Sequence, residues 1–147
     1  MNRAENLLEA FDDLTWENYV EITQSIALVN MDNIDEELVR QSSTYAYYSG
    51  LLAVAKKKMD EANLTLTTFS AQTRKEKKSS TIAKQTAKDL DDFVEASDDF
   101  RLYTQKAIDV SSKHNLLKSL VSALNHKKDM LVQLSSNRRA ETNLYSR

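Results

Sequence analysis

The sequence predicts an all-α protein. A long central helix folds back as an antiparallel helical hairpin, and a C-terminal oligomerisation helix follows. Three observations lead there. The 147 residues include one glycine and no proline, so the residues that most often end helices are nearly missing. Apolar residues recur at intervals of three, four and seven, the repeat of one helix face. No stretch alternates apolar and polar residues long enough to give a sustained strand pattern.

The elements follow in chain order. "AENLLEAFDD", 4–13, is acidic and amphipathic, with Leu7, Leu8, Phe11 and Leu14 at helical spacing. "TWENYVEIT", 15–23, is helix-compatible through Trp16, Tyr19, Val20 and Ile22. "VNMDNIDEE" clusters Asn and Asp and reads as a linker, with Asp32 or Asn33 as the cap of the next helix. The chain thus divides into an acidic N-terminal extension, 1–33, and a helical domain, 34–147. From Ile34 to Lys78 only Gly50 interrupts helical residues. Leu38, Tyr45, Tyr48, Leu52, Ala55, Met59, Ala62, Leu66 and Phe69 form one apolar stripe. "KKSST", 77–81, is the expected turn, with Ser79, Ser80 or Thr81 capping a helix over 82–108. That helix offers Ile82, Leu90, Phe93, Val94, Phe100 and Tyr103 for burial. "DVSSKHN", 109–115, suits either a break or a continuation. A final helix is expected over 113–140.

Charge is segregated along the chain. Residues 1–40 carry 10 acids and 2 bases, 41–88 carry 3 and 9, 89–109 carry 7 and 2, and 110–147 carry 2 and 7. One reading is that antiparallel helices pair opposite blocks. The other is that the basic blocks form a surface for an anionic polymer, while the acidic blocks screen it or engage a basic partner. Charged residues at 29% and aromatics at 7% suit thin cores and wide solvated faces, completed by self-association.

Several function classes lack support. There is no cysteine, so neither a disulfide nor a thiolate metal site is expected. No apolar run approaches the roughly 20 residues that span a bilayer. The N-terminus "MNRAENLLEAFDD" lacks a secretory apolar region, so a soluble cytoplasmic protein without membrane association is expected. His114 and His126 have no acid three residues before them, which removes the paired ligand pattern of di-metal bundles. Nucleotide-binding, zinc-protease and serine-hydrolase signatures are missing. No catalytic residue, metal or cofactor is expected, and the chain does not read as an enzyme.

Two surfaces stand out. At roughly 100° per residue, one flank of the central stripe carries Tyr45, Ser49, Lys56, Asn63, Thr67, Arg74 and Lys78. Cations mixed with small polar donors and an aromatic are suited to following a phosphate backbone. Tyr45 and Tyr48 also suit a core. On the closing helix, Leu117, Leu120, Val121, Leu124, Leu131, Val132 and Leu134 share a face. Lys127, Lys128, Arg138 and Arg139 fall on or beside it. A buried ammonium requires a partner. Lys128 is therefore expected to snorkel or to meet an acid or phosphate across an interface, with the 89–99 block of its own or a neighbouring subunit as the acid. The result reads as a mixed assembly face of Leu117, Leu120, Val121, Leu124, Lys128, Leu131, Leu134, Arg138 and Arg139.

Three stretches carry a family resemblance: "TYAYYSGLLAVAKKK" at 44–58, "DFVEASDDFRLYTQKAID" at 92–109 and "LKSLVSALNHKKDMLVQLSSNRRAE" at 117–141. Residues 34–141 resemble the UvsY-like recombination mediators of T-even-type phages; residues 1–33 do not. The resemblance implies a non-enzymatic, all-helical protein that forms a homo-oligomeric ring in the host cytoplasm. It implies binding to single-stranded DNA coated by single-strand-binding protein, and loading of a RecA-like recombinase. Carried onto this chain, the DNA contacts are Lys56, Lys57, Lys58, Arg74, Lys75, Lys77, Lys78, Lys84 and Lys88, with Tyr45 beside them. Residues 113–141 become the assembly element. A second reading from the residues is a helical adaptor or host-protein inhibitor that binds no nucleic acid. If the N-terminal segment competes with DNA, removing residues 1–30 should raise DNA affinity.

Overall fold

The computed structural model describes residues 3–81 and 85–145. Among them the fold is all-α, without strands. The helices are α1 (Arg3–Asp12), α2 (Trp16–Ala27), α3 (Ile34–Ser80), α4 (Ala87–Glu95) and α5 (Asp98–Tyr145), with a 3-10 turn at Met31–Asn33 before α3. The chain forms two compact units. Met1–Val54 and Asn115–Arg147 make the first, and Ala55–His114 the second.

In the first unit, short N-terminal helices meet the early part of α3 and the late part of α5. Phe11 of α1 and Leu14 in the link after it are buried, as are Ile34 and Leu51 of α3 and Leu117, Leu120, Val121, Leu124 and Leu131 of α5. Four of the α5 leucines have no exposed surface. Each such burial is worth about 1.5–3 kcal/mol against exposure. The acidic N-terminal segment thus supplies core side chains to the unit that holds the closing helix. Gly50 of α3 faces Leu7 of α1 but is not required for the approach. A Cβ there would stand 3.5 Å from Leu7 Cδ1, an ordinary contact.

Local signals explain the starts of α2 and α3. Thr15 caps α2 through a reciprocal box: its hydroxyl accepts from the Asn18 amide at 3.3 Å, and Asn18 Oδ1 accepts from the Thr15 amide at 2.8 Å. Before α3 a 3-10 turn intervenes with a cap of its own. Asn30 accepts from the Asp32 amide at 3.0 Å and opens the turn. Asp35, Glu36 and Glu37 then occupy the first turn of α3, where carboxylates favour the helix dipole.

The second unit has a sparer core. Its buried apolar residues are Ala55, Ala62, Val94 and Ala107. Ala55 and Ala62 are seven residues apart on one face of α3. Small side chains at a helix contact let axes come closer. Phe69 and Tyr103 add a ring pair with centroids 5.1 Å apart.

In the second half of the chain two boundaries differ from expectation, and a third, left open, is decided. First, α3 continues through the expected turn to Ser80. The hydroxyls of Ser79 and Ser80 donate back to the carbonyls of Glu76 and Lys77, so neither acts as a cap. The next cap is Thr86, boxed with Asp89. Ile82 and Lys84 lie outside the described residues. Second, the helix expected over 82–108 is divided at Ala96–Ser97. Ser97 Oγ accepts from the Phe100 amide at 3.2 Å, and Asp98 and Asp99 fill the first turn of α5. This is an ordinary N-cap arrangement. Third, "DVSSKHN" is a continuation, and the expected final helix is part of one helix of 48 residues. Asp, Ser and Asn each cost only tenths of a kcal/mol in a helix interior. No glycine or proline adds to that.

Candidate nucleic-acid interface

The proposed DNA-contacting side chains fall into three groups. Tyr45 belongs to the first unit and is 36% exposed. Ser49, on the same predicted flank, has a buried hydroxyl without a hydrogen-bond partner among the described residues. It therefore does not line an open strip. The remaining described cations lie in the second unit.

Within that unit, four cations are engaged by their own chain. Lys56 Nζ sits 2.8 Å from Asp60 Oδ1, and Lys57 Nζ 3.7 Å from Glu61 Oε1. Both pairs join successive turns of α3. Arg74 crosses to α4 and meets Asp91 Oδ1 at 2.7 Å. Lys77 Nζ stands 4.4 Å above the Phe93 ring, a cation–π distance. Lys77 is half-buried and Phe93 is exposed. These pairs are largely exposed, with side chains about half accessible for Arg74 and Asp91. Such pairs are worth roughly 0–1 kcal/mol, so they are readily exchanged for a phosphate.

The other cations are less encumbered. Lys75, Lys78 and Lys88 are exposed and form no ion pair among the described residues. Lys77 and Lys78 occupy the last turn of α3, where cations favour the helix dipole. Residues 74–88 hold six bases and one acid, Glu76. At the start of α4, Asp89 Oδ2 accepts from the Thr86 amide at 2.9 Å and from its hydroxyl at 2.7 Å. The backbone hydrogen bond first, then the side-chain one, holds the Asp89 carboxyl below its usual range. Lys58 is half-buried and faces a groove with Tyr103 and Lys106 of α5.

Most apolar residues of the predicted assembly face are buried within the chain itself. Leu117, Leu120, Leu124 and Leu131 are fully buried in the first unit, and Val121 is nearly so. An intermolecular contact through them would have to open that core. Leu134 is half-buried, and Arg139 is exposed and bonds back to Ser135 of its own helix. Lys128 is exposed beside Asp129, 3.4 Å away, and needs no buried acid.

The buried cation is its neighbour. Lys127 is 7% exposed. Its Nζ lies 2.5 Å from Glu37 Oε2 and donates to the carbonyls of Ile26 at 2.8 Å and Leu28 at 2.7 Å. All three ammonium protons have acceptors. Those carbonyls lie at the end of α2, which has no basic residue in its own last turn. Lys127 therefore supplies the C-terminal cation that α2 lacks. The acid comes from the first turn of α3. Arg138 acts alongside, donating to the Met31 carbonyl at 3.0 Å. Gln41 Nε2, also buried, donates to the Leu124 carbonyl at 2.5 Å.

Among the described residues, no three His, Asp or Glu side chains gather to hold a metal ion. No described helix is long and apolar enough to cross a membrane. No family model, no curated protein and no solved structure matches this chain.

Proposed function

We propose that this chain is a non-enzymatic recombination mediator. It binds single-stranded DNA through the basic end of its second unit, and helps load a RecA-like recombinase onto DNA coated by single-strand-binding protein. The observation that carries the reading is the trio Lys75, Lys78 and Lys88, each exposed and without an acidic partner among the described residues. It lies in a stretch with six bases against one acid. Arg74 and Lys56, held in exposed pairs, add contacts once a phosphate displaces their carboxylates. The resemblance of residues 34–141 to UvsY-like mediators supplies the recombinase, the coated DNA and the homo-oligomer. In that arrangement α3 and the returning segment over 87–108 run as an antiparallel hairpin. Its support is that residues 91 and 103 meet residues 74 and 69 in that order. Many modest sites in one oligomer would give tight binding through avidity.

The test is titration of labelled single-stranded DNA over a salt series. Binding should be sequence-tolerant and weaken steeply, by about 0.7 log unit per phosphate contact for each tenfold rise in salt. Lys75→Gln, Lys78→Gln and Lys88→Gln together should flatten that slope. Absence of binding at low salt would sink the reading. A second experiment follows recombinase filament growth on coated DNA with and without the protein.

An adaptor that binds a protein partner is favoured by one feature. Trp16, Val20 and Leu28 are exposed at 63%, 37% and 70%, at spacings of four and eight along α2 and its C-cap. Glu17 and Glu21 flank them. Stable co-purification with a basic partner, without DNA binding, would select this reading.

A further inference from the structure

We propose that the groove between α3 and α5 in the second unit is a nucleotide subsite. It takes the phosphate of one single-stranded DNA unit on Lys58 and Lys106, with the base against Tyr103. This rests on the DNA-binding reading above and adds Tyr103 and Lys106 to Lys58, which that reading already names.

The groove follows from the spacing on its two walls. α3 contributes Lys58, Ala62 and Thr65, four and three residues apart. α5 contributes Tyr103 and Lys106, three apart, and all five residues line the same hollow. Side chains at such spacings share a helix face. Ala62 is small and buried, so the floor is low and the longer side chains form the rim. The open volume is about 210 Å³. That is below the roughly 300–1,000 Å³ of pockets for larger ligands, and it favours a single nucleotide unit over a larger cofactor.

The chemistry is that of a phosphate ester. Lys56 and Lys57 each have an acid one turn on. Lys58 and Lys106 form no ion pair among the described residues, yet both line the groove. Glu61 lies on the rim, but its carboxylate faces the Lys57 ammonium at 3.7 Å. Two ammonium groups over one hollow favour an anion. Tyr103 is half-buried and steadied by Phe69, with an interplanar angle of 55°. A ring held in this way is suited to stacking a base, and stacking tolerates any base. The Thr65 hydroxyl donates to the Glu61 carbonyl at 2.9 Å. It is left with lone pairs, which accept from a sugar hydroxyl or a base amino group.

The experiment titrates the full chain with thymidine 5′-monophosphate, with inorganic phosphate and with thymidine, following backbone amide shifts. The nucleotide should shift amides at 58–65 and 103–110. Lys58→Gln with Lys106→Gln should abolish the shifts. Tyr103→Leu should weaken binding roughly tenfold, the scale of one lost stacked base, whereas Tyr103→Phe retains it. Lys118→Gln, an exposed position in the first unit, should leave nucleotide binding unchanged. Circular dichroism verifies that each variant keeps its helices. Equal binding of inorganic phosphate overturns the subsite, because that is a bare anion site. Shifts confined to other residues, or unchanged binding in the double lysine variant, overturn it as well. Failure of the mediator reading looks different: the nucleotide occupies the groove while long single-stranded DNA does not bind.

Discussion

Lys127 of α5 and Glu37 of α3 form a buried ion pair whose lysine also closes the C-terminal end of α2. One ammonium thus joins three helices of the first unit. Lys127→Met leaves the Glu37 carboxylate without its cation and two carbonyls without their donor. Breaking a buried pair from one side costs about 3–5 kcal/mol. Glu37 keeps 24% of its side chain exposed, so the lower end, about 3 kcal/mol, is expected. Adding Glu37→Leu should restore part of the loss, because no charge is then stranded. Urea midpoints of the two variants check both statements. An unchanged midpoint in Lys127→Met would remove the clasp.

The same contact redirects the expectation for the N-terminus. Removing residues 1–30 deletes the Ile26 and Leu28 carbonyls and the buried Phe11 and Leu14. Unit-wide loss of stability is expected before any gain in DNA affinity. Proteolysis of the truncated chain should cut within 34–54 and 115–145 faster than in the full chain. Equal protection would mean that the segment is dispensable.

Leu131 separates core from assembly face. Its side chain has no exposed surface, so Leu131→Asp buries an unpaired carboxylate and should unfold the first unit. Leu131→Ala should cost about 2–5 kcal/mol. Val132, next to it and 54% exposed, should tolerate Asp within about 0.5 kcal/mol. If native mass falls in Val132→Asp while helicity holds, the exposed side of α5 is the subunit contact. If Leu131→Asp keeps a folded monomer, the core placement is wrong.

Much of this was legible before the structure. The long helices followed from missing glycine and proline, and the α3 stripe predicted Ala55 and Ala62 on its buried side. What a 100° wheel blurred was the choice between Lys127 and Lys128, which it placed on either side of the leucine face. The alternating three-four spacing resolves it. Leu117, Leu120, Leu124, Lys127, Leu131, Leu134 and Arg138 follow one another at three, four, three, four, three and four. That is a heptad seam, and Lys127 sits within it. The leucines themselves did not tell whether their cover was another chain or the N-terminal helices, since both are apolar. Thr86 was hidden for another reason. Ser79, Ser80 and Thr81 are equally good caps by type, and only the Asp three residues after Thr86 marks a reciprocal box. The Arg74–Asp91 pair and the Lys58–Tyr103–Lys106 groove require two helices to be placed, which no local pattern does.

Acid should loosen the start of α4. Asp89 is held below the usual carboxylate range by its bonds to Thr86. A depressed carboxyl stabilises the fold above its unfolded value, near 3.9, and that contribution disappears as pH falls through the lower folded value. Hydrogen exchange at the Asp89 and Leu90 amides should therefore accelerate below about pH 4 after correction for intrinsic rates. Asp89→Asn should abolish the pH step. Thr86→Ala should cost about 1 kcal/mol of local stability at neutral pH. A pH step that survives Asp89→Asn would assign it to another group.

Asp91 is expected to restrain DNA binding. Its carboxylate holds Arg74 at 2.7 Å, with both side chains about half exposed. An exposed pair is worth at most about 1 kcal/mol, so Asp91→Asn should scarcely move the unfolding midpoint. It removes one negative charge beside the basic stretch 74–88 and releases a guanidinium suited to paired phosphate contacts. If single-stranded DNA binds there, affinity at low salt should rise several-fold. The salt slope should steepen by about 0.7, one additional phosphate contact. Asp129→Asn, in the first unit beside Lys128, changes net charge equally and serves as the control. A rise common to both variants would reflect overall charge. A fall in Asp91→Asn would mean that the carboxylate positions Arg74 for the strand, and Arg74→Ala would then weaken binding by the same factor.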